Sequence, residues 1–113
     1  MIAGACRMNK LLLAAGCALA LSAGQAMAGD AYAGEKKSKP CEACHGVAGN
    51  SASAEFPRLA GQHYDYLVKT LSDYKTGVRK NPIMAPQAAN LSRRDIEDLA
   101  AFYSKQRGLY VKY

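Results

Sequence analysis

Cys41-Glu42-Ala43-Cys44-His45 constrains this chain more than any other feature. Two cysteines three positions apart share one turn of a helix, and the residue after the second is carried round with them. Both thiols can then form thioethers along one porphyrin edge, and His45 is brought over the ring plane, where an imidazole can ligate iron. Three other uses of the pattern fit less well. A zinc site needs about four ligands, and outside the motif residues 29–113 offer only His63 and carboxylates. A disulfide between Cys41 and Cys44 closes too short a loop to stabilise a fold appreciably. A thioredoxin-like dithiol needs a buried strand feeding it, whereas Glu35-Lys36-Lys37-Ser38-Lys39-Pro40 is far too polar for one. The motif reads as the attachment site of one covalent c-type haem.

A haem iron held by His45 has a second axial position. Met84 is the only methionine after residue 28, and it stands in Asn81-Pro82-Ile83-Met84-Ala85-Pro86. Two prolines forbid a long helix there and favour a stiff extended loop, a suitable mount for a thioether ligand. A lone methionine is ordinarily core filler; the haem motif is what turns Met84 into a candidate iron ligand. His63 is the weaker candidate, since it stands at the start of an expected helix, where a solvated side chain is the simpler reading.

The N-terminus has the parts of a secretory signal. Arg7 and Lys10 form a positive region, Leu11 to Leu21 an apolar run, and Ala26-Met27-Ala28 a small-x-small cleavage site. Residues 1–28 therefore read as a cleaved signal peptide, with Met8 an alternative start to Met1. No apolar run reaches the 18 or so residues of a membrane span, so stable membrane insertion is not expected. Cys6 and Cys17 leave with the signal; Leu13-Ala14-Ala15-Gly16-Cys17 resembles a lipidation box only loosely. The chain has a formal charge of +6. After cleavage it keeps thirteen Lys/Arg against nine Asp/Glu, a net of +4. These bases are scattered and interrupted by acids, which argues against a nucleic-acid partner.

Residues 29–113 are few for a domain resting on apolar burial alone. Three helices are expected in them. The first runs from about Asp30 to Lys39, with Asp30 as N-cap and Pro40 ending it. The second spans about Gln62 to Lys75, where Tyr64, Leu67, Val68, Leu71 and Tyr74 share one face and Gly77 follows the end. The third spans about Arg93 to Arg107, with Ser92 and Asp95 placed as a capping box, Ile96, Leu99, Ala100 and Tyr103 as its apolar stripe, and Gly108 as its stop. No segment alternates as a strand does. The expectation is an all-α fold whose core is partly porphyrin.

Taken together, the motifs resemble the class I c-type cytochromes, most of all one half of the periplasmic dihaem cytochromes. Gly29-Asp30-Ala31-Tyr32-Ala33-Gly34 leads into the haem motif, and Phe56-Pro57-Arg58-Leu59-Ala60-Gly61-Gln62 opens the second helix. Met84, Leu91-Ser92 and Asp95-Ile96-Glu97-Asp98-Leu99-Ala100-Ala101-Phe102-Tyr103 resemble the ligand loop and last helix. The resemblance covers nearly all of residues 29–107, which form the haem domain, and leaves 108–113 as a tail. It implies a class I cytochrome c fold of three main helices around one covalent haem. Cys41 and Cys44 would be the thioether residues, His45 the proximal ligand and Met84 the distal one. The Pro57 carbonyl would accept a hydrogen bond from His45 Nδ1, and Leu59, Leu67, Leu71 and Ile83 would line the haem pocket. Gly34 would permit a close crossing of the first and last helices, with Leu99 and Tyr103 facing it. The lysines between Gly34 and Cys41 depart from the family's apolar residues there, so the first helix is expected to be short and its crossing weakly packed.

His/Met ligation leaves no open iron position and favours one-electron transfer over catalysis. The expected function is a periplasmic electron carrier, not an enzyme, working as a monomer or weak dimer between redox proteins such as respiratory or dehydrogenase complexes. The alternative is a dedicated haem subunit of a periplasmic oxidoreductase, for example one oxidising sulfur compounds. Lys36, Lys37, Lys39, Arg79 and Lys80 are candidates for steering an acidic partner, and Arg79, Lys80 or Asn81 for bonding a haem propionate.

Overall fold

The computed structural model describes residues 29–108; the expected signal peptide with Cys6 and Cys17, and tail residues 109–113, lie outside them. The described residues form five α-helices and no strand. They are α1 (Ala31–Lys37), α2 (Lys39–His45), α3 (Tyr64–Thr76), α4 (Met84–Ala89) and α5 (Arg93–Ser104), with a short 3-10 turn at Val47–Gly49 after α2.

Asp30 starts α1 as its side chain accepts the Tyr32 and Ala33 N–H groups, at 2.9 and 3.3 Å. Pro40 does not end that helix. The break falls at Ser38, a buried residue whose hydroxyl donates to the Glu35 carbonyl at 2.7 Å. Pro40 then sits in the first turn of α2, where its fixed φ suits a helix and its missing N–H would have had no partner anyway. The expected helix thus ends two residues early, at Lys37, and a separate short helix, not among the three expected, carries the cysteines.

The later helices follow their local signals. In α5 the Ser92 hydroxyl accepts the Asp95 N–H at 3.0 Å and the Asp95 carboxylate accepts the Ser92 N–H at 2.8 Å, a complete capping box. This helix stops at Ser104, short of the expected Arg107. Gly77 closes α3 with φ +81°, the left-handed conformation that favours glycine. Around Met84 the expected extended loop is instead a turn followed by α4. The Asn81 side-chain oxygen accepts both the Ile83 and Met84 N–H groups at 2.9 Å. This gives the helix a start, and Pro86 is close enough to that start to be tolerated.

The core lies where α5 meets α1 on one side and α3 on the other. Leu67 of α3 packs with Leu99, Ala100, Phe102 and Tyr103 of α5, flanked by the half-buried Leu59, Tyr64, Val68, Leu71 and Leu91. The crossing with α1 is tight. A Cβ on Gly34 would lie 2.0 Å from the Asp98 carbonyl oxygen and 2.8 Å from the Phe102 Cβ. Gly34 therefore faces Asp98 and Phe102, one position off the Leu99 and Tyr103 expected. The short α1 is as expected, but its packing is not weak. Lys37 bridges to Asp95 at 2.8 Å and to Asp98 at 2.7 Å. Asp98, 2 % exposed, also accepts the Asp30 N–H at 2.7 Å and pairs with Arg94 at 3.1 Å. Of the polar residues that looked wrong for a helix crossing, Lys37 supplies its ion pairs.

Candidate haem site

Helix α2 presents Cys41, Cys44 and His45 within about one turn. Both cysteines are free thiols, so the disulfide reading does not hold here. Cys41 is half-buried and Cys44 exposed, and burial pushes the Cys41 thiol above its ordinary range. His45 ends α2 and is 6 % exposed. Its Nδ1 lies 2.8 Å from the Pro57 carbonyl oxygen. A carbonyl can only accept, so Nδ1 carries the proton and Nε2 keeps its lone pair for a metal. The Phe56 ring stands edge-on to the imidazole, with centroids 6.3 Å apart.

The chain following His45 is what holds Pro57 in place. Gly46 has φ +78°, Ala48 φ +56° and Gly49 φ +79°, so the backbone doubles back directly after the histidine. The Gly49 carbonyl accepts the N–H groups of Leu59 and Ala60 at 2.9 and 3.2 Å, and the Gly61 N–H donates to the Tyr103 carbonyl at 2.9 Å. A Cβ on Gly49 would lie 2.8 Å from both the Ala60 nitrogen and the Tyr103 ring. Segment 57–61 is thus held between the turn after the motif and the end of α5. Sequence reasoning missed this clamp. The signal available was Gly46-Val47-Ala48-Gly49-Asn50, whose two glycines bracket a position that had no reason to look left-handed.

Met84 is half-buried at the first turn of α4. The expected pocket residues behave differently from one another. Leu67 is buried in the core, Leu59 and Leu71 are half-buried against it, and Ile83 is 55 % exposed. His63 stands at the N-cap of α3, exposed, with its N–H donating to the Gln62 side chain at 2.9 Å. The Tyr103 hydroxyl is buried with no hydrogen-bond partner, and burial together with the nearby Cys41 sulfur pushes its ionisation up.

The residues present fit a covalent porphyrin. Two unpaired thiols stand three apart on one helix beside an imidazole whose Nδ1 is tied back, which leaves Nε2 for a metal. A row of leucines is only partly covered by protein, and an orphaned phenol lies next to Cys41. Such a set of donors and apolar faces suits a flat, largely apolar group with one metal at its centre.

The cations expected to steer an acidic partner divide in two. Lys37 is taken up by Asp95 and Asp98, Lys39 pairs with Glu42 at 3.1 Å, and the Lys36 ammonium lies over the Tyr32 ring at 4.3 Å. Arg79 and Lys80 form no ion pair among the described residues; Arg79 reaches the Tyr66 hydroxyl at 3.5 Å and lies over the Tyr74 ring.

Comparison with known proteins agrees with this geometry. The family profile described as "Cytochrome c" matches residues 26–105. Cytochrome c4 of Pseudomonas aeruginosa is 44% identical over 100 residues, covering 88% of this chain and 50% of that protein. The crystal structure of reduced recombinant cytochrome c4 from Pseudomonas stutzeri superposes with a TM-score of 0.69 at 46% identity, over 73% of this chain and 48% of that one. A thiosulfate dehydrogenase electron acceptor of Stutzerimonas stutzeri is 48% identical over 62 residues, 54% of this chain and 29% of that protein. The chain spans about half the length of the cytochromes c4 it matches.

Proposed function

Because the chain belongs to the cytochrome c family, and so carries covalently bound haem c, we propose that it is a one-electron carrier of the periplasm with His45 and Met84 as its axial iron ligands. When bound, the haem supplies one iron that cycles between the ferrous and ferric states by a single electron. Cys41 and Cys44 hold it through thioethers, so it stays in place when the fold opens locally.

The observation that carries this reading is the His45 Nδ1–Pro57 contact at 2.8 Å within the C-x-x-C-H motif. It fixes the tautomer, orients the ring and makes Nε2 more basic. Met84 would complete the coordination, leaving no place for a substrate. A thioether also favours the ferrous state more than a second imidazole does. Leu59, Leu67, Leu71 and Ile83 would keep water from the iron, which further disfavours the more highly charged ferric form. The signal of residues 1–28 would direct the chain across the inner membrane and be cleaved after Ala28, leaving residues 29–107 to fold there as the haem domain. No helix of the described residues is long and apolar enough to cross a membrane.

Replacing Met84 by Ala tests the ligand set. The variant holoprotein should bind carbon monoxide in its ferrous form, whereas the unaltered protein should not. A variant that remains closed to carbon monoxide would remove Met84 from the assignment.

The likeness to a thiosulfate dehydrogenase electron acceptor favours a second reading, a haem subunit dedicated to an enzyme that oxidises sulfur compounds. Size exclusion of a native extract separates the two. A free carrier elutes at its own mass, and a subunit travels with its enzyme.

A further inference from the structure

The Tyr103 hydroxyl is the one buried side-chain polar atom among the described residues that has no hydrogen-bond partner. A donor left unpaired in a core is costly, and buried hydroxyls are nearly always satisfied. Phenylalanine would fill almost the same volume without that cost. Tyr103 also has no freedom to turn elsewhere. The residue is 3 % exposed, its ring lies 5.1 Å from that of Phe102, and a Cβ on Gly49 would be 2.8 Å from its edge. Its carbonyl accepts the Gly61 and Gln106 N–H groups at 2.9 and 3.1 Å, which fixes the backbone as well.

What faces this hydroxyl is the break between α1 and α2. Cys41 and Ser38 lie beside it, and Cys41 packs against the same group of core residues. The Ser38 hydroxyl has given its proton to the Glu35 carbonyl at 2.7 Å, so it does not donate to the phenol. Cys41 is the neighbour whose hydrogen bonding changes on haem attachment. As a thiol its sulfur can donate as well as accept; as a thioether it has no proton and can only accept. The phenol keeps its proton, because burial and then the Cys41 sulfur push its ionisation up. Donor and acceptor are then fixed.

We propose that Tyr103 is a positioning residue for the haem, its hydroxyl donating a hydrogen bond to the Cys41 thioether sulfur, holding that edge of the porphyrin against α5 and drawing electron density from it. The assignment rests on the thioether reading of Cys41 and is independent of Met84. The positive end of a phenol O–H dipole at the porphyrin edge favours the state with the extra electron, so Tyr103 shifts the iron towards ferrous.

The test uses the holoprotein. NMR of its ferrous form in water should show the Tyr103 phenolic proton as a slowly exchanging resonance with a cross-peak to the Cys41 β-protons. Tyr103→Phe should lower the midpoint potential, moving the ferrous–ferric equilibrium roughly threefold towards ferric. It should also raise the unfolding equilibrium constant roughly fivefold, whereas loss of a hydroxyl that had no partner would leave the protein equally or more stable. The midpoint shift should vanish when Tyr103→Phe is combined with Cys41→Ala, which keeps the thioether of Cys44, and should persist when it is combined with Ser38→Ala. A cross-peak to Ser38 in place of Cys41 would overturn the proposal. So would a midpoint unmoved by Tyr103→Phe, an equal shift with and without Cys41, or undiminished stability. A pyridine haemochrome spectrum of the unaltered holoprotein separates this from failure of the underlying reading. Two thioethers with an unmoved midpoint refute the role of Tyr103 alone; a spectrum lacking the second thioether refutes the attachment, and the proposal with it.

Discussion

Asp98 illustrates how much one side chain can be asked to hold. Burial alone pushes its carboxyl up, but Lys37, the Asp30 amide and Arg94 more than reverse this and hold it below the ordinary range. Its neighbour Asp95 is held at about 2, first by Lys37 and then by Ser92. Both carboxylates titrate lower in the folded chain than in the unfolded one. The stability they contribute is therefore complete above their ordinary value of 3.8 and is lost as pH falls through each lowered value, about 2 for Asp95. Lys37 titrates higher when folded, so its share is present below 10.5 and disappears as pH rises through the raised value. Urea midpoints measured against pH should show both limbs, and Lys37→Met should move the acid limb to higher pH. Asp98→Asn should cost about 2 kcal/mol at neutral pH, because the buried side chain loses its charge-assisted bonds to Lys37, Arg94 and the Asp30 N–H.

Gly49 acts at the same scale but towards the haem site. Its left-handed φ and the absence of room for a Cβ make Gly49→Ala a displacement of Leu59 and Ala60, and with them of Pro57. The expected result is a loss of about 2 kcal/mol in stability. A changed proton resonance at His45 Nδ1 in the holoprotein should accompany it. An unchanged resonance would mean that Pro57 is held without this turn.

Among the elements, the α1–α5 crossing and the end of α3 each depend on one glycine, for different reasons. Gly34→Ala places a methyl carbon 2.0 Å from the Asp98 carbonyl oxygen, so the helices must separate. A loss of about 3 kcal/mol is expected. Gly77→Ala meets nothing within 4 Å and suffers only its φ of +81°, a cost of about 1 kcal/mol. Chemical denaturation of the two variants measures both, and equal losses would contradict the distinction. The elements differ likewise in how well the sequence shows them. Ser92 with Asp95, and Gly77, are local signals, and they start one helix and end another as local signals should. Pro40 is ambiguous locally, since a proline can stop one helix or start the next, and what decides is Ser38 turning its hydroxyl back to Glu35. Asp98 could not have been recognised as buried from α5 alone. Its burial comes from α1, whose Lys37, Asp30 and Gly34 arrive from about sixty residues away.

For the whole molecule, the site was more legible than the packing around it. The C-x-x-C-H spacing states its chemistry because thioether formation fixes the spacing. The loop that clamps Pro57 is fixed only by tertiary contacts with α5, so its residues carry no comparable pattern. Ile83 and the half-covered leucines are the complement of that core, apolar surface that the protein alone does not bury. One iron held on both sides by His45 and Met84, as proposed, would have no open position and would suit moving a single electron. We propose that this chain carries one electron on a haem held by His45 and Met84, and a potentiometric titration of the purified holoprotein, followed through its visible spectrum, decides it. The expected result is a single reversible one-electron transition whose midpoint falls in Met84→Ala. A two-step transition, or an unchanged midpoint and spectrum in that variant, would contradict it.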